Sequence, residues 1–183
     1  MKKALIVLLF TLIISSCSSS DNSWTVSWLE KYDWTNFEVM YPSWWNILEK
    51  DSSNLPKPKN WEIAFSAYSK EISYWFSNNV LILSQDLNKN ISSEDFSILN
   101  NVWATKEYQE YTKIDSKKIT FSDEDYTTMY DFEAKYNTDT TKLKFLQAWK
   151  VCDKKAFLIT IALSPDIKDS SSYEEIIKSF KCK

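Results

Sequence analysis

Asp123-Glu124-Asp125 sets three carboxylates side by side between two strand-like runs, and hard cations such as calcium accept oxygen ligands of this kind. The spacing matches no EF-hand loop, and adjacent acids in a turn are ordinarily just solvated. Glu94-Asp95 and Glu174-Glu175 raise a second chemistry, hydrolysis of a glycosidic bond between paired carboxylates. Both pairs stand where helices begin, and negative charge there offsets unpaired backbone N–H groups without any catalytic role. No pattern in the sequence makes two of these acids converge, so no catalytic residue, metal ligand or cofactor is assigned. Tyr126, Tyr130, Phe132 and Tyr136 keep to one face of a period-two strand, and core packing explains them better than ligand stacking. Lys117-Lys118 and Lys154-Lys155 are basic doublets in expected turns. They suit anionic head groups or cell-wall polymers, but a solvated edge or hairpin tip is the simpler expectation.

The N-terminus carries a sharper signal. Lys2 and Lys3 precede an apolar run, Ala4 to Ile14, interrupted only by Thr11. Ile14-Ser15-Ser16-Cys17 then resembles a bacterial lipobox, in which a cysteine is lipidated and becomes the new N-terminus. The run is short for a membrane span and ends in serines, as a processed signal does. Residues 1–16 are therefore expected to be a lipoprotein signal peptide and 17–33 a lipid anchor with a serine-rich tether. The domain is expected to occupy 34–183. Several acyl chains on Cys17, palmitate among them, would hold the protein at the outer side of the cell membrane, since each buried methylene contributes about 0.8 kcal/mol. Cys152 and Cys182 then remain as an even pair in an exported chain, where disulfides persist. A bridge between them is expected; two separate buried thiols are the alternative.

Composition closes several routes. The 183 residues are 44% apolar, enough for one domain with a core. There is no histidine and no arginine, so neither a histidine relay nor a histidine metal site is available. The absence of glycine excludes phosphate-cradling loops. Cleavage at Cys17 would remove Lys2 and Lys3 and move the formal charge from −3 to −5. That balance argues against nucleic acid, which needs a basic face.

Zero glycines against nine tryptophans is itself a signal, because strand-rich domains normally place Gly where φ is positive. The lysine, asparagine and isoleucine bias is that of a very AT-rich genome. Some bacterial lineages read the codon UGA as glycine, whereas other code tables read it as tryptophan. Trp44, Trp61, Trp75 and Trp149 stand in turn-like contexts and are expected to mark glycines of the living protein, with Trp44, Trp75 and Trp149 scattered, solvent-exposed and in part at positive φ.

Stepping along the chain, Phe37 to Tyr41 and Trp45 to Glu49 read as a hairpin broken at Pro42-Ser43. Strands fit Glu62 to Ser69 and Val80 to Leu87. Ser92 or Ser93 caps a helix from about Glu94 to Tyr108, with Phe96, Leu99, Val102 and Trp103 at helical spacing to pack on a sheet. Further strands fit Lys113 to Phe121, Thr127 to Tyr136 and Leu143 to Val151. Ala156 to Leu163 is apolar enough for a central strand buried on both faces. Ser172-Tyr173-Glu174-Glu175 reads as a capping box for a last helix that buries Ile176, Ile177 and Phe180. This order predicts an α+β domain with an antiparallel sheet.

Phe37-Glu38-Val39-Met40-Tyr41-Pro42-Ser43-Trp44-Trp45 resembles the opening of PsbP-like domains, an F-x-V-x-Y-P-x-G-W pattern, and Tyr173 to Phe180 resembles their closing helix. The family carries Gly where this chain has Trp44, and an aromatic residue where it has Trp45, which is expected to be buried. The resemblance spans about residues 35–182. It implies an α/β/α sandwich and a non-enzymatic binding or assembly factor with a protein partner at the cell envelope. A glycan-binding or glycan-cleaving lipoprotein is the alternative.

Overall fold

The computed structural model describes residues 28–50 and 59–183. The expected signal peptide and Cys17 lie outside the described residues. The first strand, β1 (Leu29–Asp33), lies inside the stretch expected to be tether, so the folded domain starts earlier than position 34. Strand β1 pairs antiparallel with β2 (Phe37–Pro42), and β2 also pairs with the C-terminal β10 (Lys181–Cys182), giving a three-stranded sheet. The expected hairpin partner of β2 goes elsewhere. The short β3 (Asn46–Ile47) pairs with β4 (Glu62–Tyr68), because the chain turns at Pro42 and crosses to the larger sheet.

That sheet has seven antiparallel strands. Beyond β4 it contains β5 (Asn79–Asp86), β6 (Gln109–Thr120), β7 (Tyr126–Lys135), β8 (Leu143–Cys152) and β9 (Lys155–Leu163), in the spatial order β3-β4-β5-β9-β8-β7-β6. Strand β9 is the middle strand, where the apolar run Ala156 to Leu163 needs to be. Helices α1 (Ser93–Glu107) and α2 (Ser171–Lys178) complete the domain. The result is dominated by sheet, with two short helices rather than the full helical layers of an α/β/α sandwich.

Strand alternation divides the core into two. One face of the large sheet presents Val80, Ile82, Ile159, Ile161 and Leu146 to β2 and α2, whose Ile176 and Ile177 are fully buried. Phe37, Phe157 and Phe180 meet there with ring centroids 5.0–5.3 Å apart, and each such ring contributes about 1.5–3 kcal/mol by leaving water. The other face carries Tyr130, Phe132, Phe145 and Trp149 under α1.

The helices depart from expectation in detail. Ser92 caps α1: its Oγ accepts from the Asp95 N–H at 3.0 Å and donates to the Asp95 carboxylate at 2.7 Å. Leu99 and Val102, expected to pack, face solvent. Ser93 and Ser97 set the rotation of the helix instead. The Val151 N–H donates to Ser93 Oγ at 2.9 Å and Ser97 Oγ donates to the Thr128 carbonyl at 2.9 Å, which leaves Phe96 as the buried apolar residue of that turn. The capping box of α2 does not form. Ser170 is the N-cap and makes no side-chain cap bond; Asp169 Oδ1 accepts the Ser171 N–H at 2.9 Å in its place.

The tryptophans divide. Trp45 is buried as expected. Trp44, 48% exposed, lies between β2 and β3. Trp75 is 100% exposed with φ 60°, beside Tyr74 at φ 51°. Ser73 and Phe76 exchange two 2.9 Å backbone bonds around them. This is a two-residue hairpin turn whose central positions both demand positive φ, the setting that selects Asn-Gly or another Gly pair. Trp149 contradicts the expectation. It lies within β8, 3% exposed, edge-on to Tyr130 at 5.8 Å, because its position faces the core under α1. The exposed Trp34, Trp44 and Trp75 sit in three separate connections, and Trp44 tilts against Trp28 with ring centroids 5.8 Å apart. Trp75→Gly is expected to raise stability by about 0.5–1 kcal/mol, since it relieves a left-handed residue with a Cβ and surrenders no buried area. Urea denaturation of the two forms measures it; a loss of stability would contradict the turn assignment.

Both ends of the large sheet are guarded. Strand β3 is two residues long. At the other end β6 is irregular at two places, between Gln109 and Thr112 and between Lys113 and Asp115, and carries Lys113, Lys117 and Lys118.

Candidate functional site

The acidic cluster of the β6–β7 turn has a partner from the protein itself. Lys150, on β8, is 2% exposed in its side chain, and its ammonium lies 2.8 Å from Asp123 Oδ1 and 2.8 Å from Asp125 Oδ2. It occupies the place a bound cation would take. Burial alone would raise the Asp125 carboxyl; hydrogen bonds from Lys150 and Ser93 outweigh it and hold the group below the usual range. Glu124 stands outside the cluster, exposed in the turn at φ 68°.

The two helix-start acid pairs do not converge. Glu94 accepts from Thr128 Oγ1 and pairs with Lys118 at 3.5 Å. Glu174 pairs with Lys117 at 2.7 Å. Lys117 and Lys118 are neighbours on a strand and point to opposite faces, so the two acid pairs lie on opposite sides of the sheet. These lysines are therefore on the edge strand, not in a turn. Lys154 is in the β8–β9 turn, and Lys155 pairs with Asp86 at 2.7 Å. Among the aromatic set, Tyr130 and Phe132 are core, whereas Tyr126 is exposed with the Lys118 ammonium 5.0 Å from its ring. Cys152 and Cys182 form a disulfide with Cα atoms 5.6 Å apart.

The larger feature was not anticipated. Helix α1 covers β7 and β8 but leaves the same face of β4, β5 and β9 open, and a cavity of about 1020 Å³ lies there. Strand register builds its floor. Ser66 pairs with Leu81, Leu81 with Thr160 and Thr160 with Gln147, so one row crosses four strands with three polar side chains. Gln147 Nε2 donates to Thr160 Oγ1 at 3.0 Å. Gln147 is 3% exposed, and its Oε1 has no hydrogen-bond partner among the described residues.

Leu83 and Leu158 form a second, apolar row beside the first. The walls are aromatic, with Tyr68, Phe76, Tyr108, Tyr136 and the rings of Trp61 and Trp149. Tyr108 ends α1 against Phe145, centroids 4.9 Å apart. Burial pushes its phenol well above the usual range, so it stays a neutral hydroxyl. Glu107 is the one charged lining residue among the described residues. The sequence held a faint sign of this site, since Thr160 interrupts the apolar run Ala156 to Leu163 and Gln147 falls between Phe145 and Trp149 on one face of β8. No pattern in either strand shows that the two residues are partners across the ladder.

No family model matches the chain and no curated protein matches it. Among solved structures the chain is similar to the solution structure of cyanobacterial PsbP (CyanoP) from Synechocystis sp. PCC 6803, with a TM-score of 0.59. The two share 13% identity, over 91% of this chain and 99% of that one. The similarity shows a PsbP-like fold. A crystal structure from Bacteroides thetaiotaomicron VPI-5482 matches with a TM-score of 0.46 at 15% identity, over 80% of this chain and 45% of that chain.

Proposed function

We propose that this chain is a membrane-anchored extracytoplasmic lipoprotein whose PsbP-like domain is a non-enzymatic binding module at the bacterial cell envelope. The anchoring rests on the lipobox-like Ile14-Ser15-Ser16-Cys17. The binding role is carried by one observation, the concave face beside α1, lined by aromatic rings, amides and hydroxyls with Glu107 as the one acid among the described residues. Recognition surfaces have this composition, and hydrolysis of a glycoside by the common route would call for two facing carboxyls. Of the acids weighed in the sequence, Glu94, Asp123, Asp125, Glu174 and Glu175 are engaged in ion pairs elsewhere.

Two experiments test this. Cys17→Ser is expected to leave the protein uncleaved or to release it from the membrane fraction on cell fractionation. Normal processing with full membrane retention would refute the anchor. Cross-linking on intact cells from a photoreactive residue at Leu83 is expected to capture a ligand or partner in the cavity, and an equal yield from a control at exposed Lys89 would refute the binding role.

A further inference from the structure

We infer that the cavity beside α1 takes a neutral, hydroxyl-rich ligand with an apolar face, a saccharide of a few rings, and that Gln147 is its principal hydrogen-bond acceptor. This rests on the binding-module reading and deepens it by naming the ligand class.

The polar row is the first ground. The middle of a sheet face enclosed in a domain is ordinarily apolar, yet Ser66, Thr160 and Gln147 stand in register there and are all buried. Their hydrogen bonds with each other are incomplete. Gln147 spends one amide N–H on Thr160, and its Oε1, buried on the side chain that neighbours the Tyr108 hydroxyl, has no hydrogen-bond partner among the described residues. A ligand made only of hydrocarbon leaves that acceptor unpaired, at a cost of about 1–3 kcal/mol relative to one that pairs it. A hydroxyl or amide N–H satisfies it.

Charge is the second ground. All 22 basic residues of the chain are lysine, and among the described residues none lines the cavity. A phosphate or carboxylate would therefore find no counter-ion among the described residues, and would share the lining with Glu107. A buried unpaired charge is heavily penalised, so the ligand is neutral.

Shape is the third. Leu81, Leu83 and Leu158 lie beside the polar row and Tyr108 and Tyr136 rise at its side. A pyranose ring offers hydroxyls at its edge and C–H groups on its face, and both halves find partners here without recourse to the tryptophans. The volume, about 1020 Å³, is at the upper end of small-molecule sites and leaves room for more than one ring.

Isothermal titration of the full mature chain with maltotriose, cellotriose and chitotriose tests the inference, with dodecanoate as the apolar comparison. At least one trisaccharide is expected to bind saturably. Gln147→Leu is expected to weaken that binding about tenfold or more, the loss of one satisfied acceptor. The same substitution removes an unpaired buried group, so thermal stability should hold or rise, whereas a purely structural Gln147 would show lower stability. Leu81→Trp, which fills the cavity, is expected to abolish binding with the fold intact by near-ultraviolet circular dichroism. Saccharide binding indifferent to both substitutions overturns the site. Saturable dodecanoate binding that Gln147→Leu strengthens, with no trisaccharide binding, overturns the ligand class and leaves the binding module standing. No saturable binding of any of the four probes overturns the ligand class as well, and cross-linking from Leu83 then decides whether the module itself stands.

Discussion

Asp123→Asn combined with Asp125→Asn is expected to cost about 3 kcal/mol of stability, because it leaves the Lys150 ammonium buried with no counter-charge. Asparagine keeps an oxygen that can accept from the Cys182 N–H, which bonds Asp123 Oδ2 at 3.0 Å. The substitution therefore isolates charge from hydrogen bonding. Adding Lys150→Met to the pair is expected to restore most of the loss, as replacement of a whole buried ion cluster by apolar groups is often neutral. Urea unfolding of the three forms measures both steps. If the double variant matched the wild type, the ammonium would have to be solvated or neutral. Acid should act in the same direction. The Asp125 carboxyl is held below its ordinary range in the folded protein, so its contribution is complete above the unfolded value of about 3.9 and is lost as pH falls through the lower folded value. The wild type should accordingly lose stability more steeply than the double variant as the pH is lowered past that point.

Reduction of the Cys152–Cys182 bridge, or Cys152→Ser with Cys182→Ser, is expected to lower stability by about 3–4 kcal/mol in the chain-entropy account. The loop closed is 30 residues in sequence and contains β9, the middle strand, together with α2. Cross-linking it restrains the part of the unfolded chain that must otherwise find both cores. Equilibrium unfolding with and without dithiothreitol measures this. A change below about 1 kcal/mol would mean that strain in the folded form offsets the restraint.

The legible parts of the fold were those governed by local periodicity. Strands β4, β5, β7, β8 and β9 and both helices lie within a few residues of where alternation and capping place them. The central position of β9 followed from its being apolar on both faces. The failures share a cause, which is that register and pairing are tertiary. Pro42 announces a break after β2, but nothing local tells that β3 will join β4. Leu99 and Val102 have helical spacing and still face water, since Ser93 and Ser97 fix the helix through bonds to β7 and β8. Trp149 reads as a turn residue beside Lys150, yet strand continuity carries it into the core. Nothing local marks Lys150, because the acids that hold it are 25 and 27 residues away. The polar row of the cavity was illegible for the same reason: Ser66, Thr160 and Gln147 come from three distant strands.

The guarded ends of the large sheet would matter most under the proposed membrane tether, which would confine the protein to a surface. Molecules tethered to one plane meet far more often than the same number free in solution. An open strand edge would turn those meetings into continuous intermolecular sheet. At one end a two-residue β3 offers too few backbone groups to template a neighbour. At the other, the irregular β6 cannot present a flat ladder, and an incoming β6 from a second copy would bring its own lysines against Lys113, Lys117 and Lys118. Crowding on a membrane is thus compatible with this sheet remaining monomeric, and the same lysines that pair with Glu94 and Glu174 within one molecule repel their counterparts in the next.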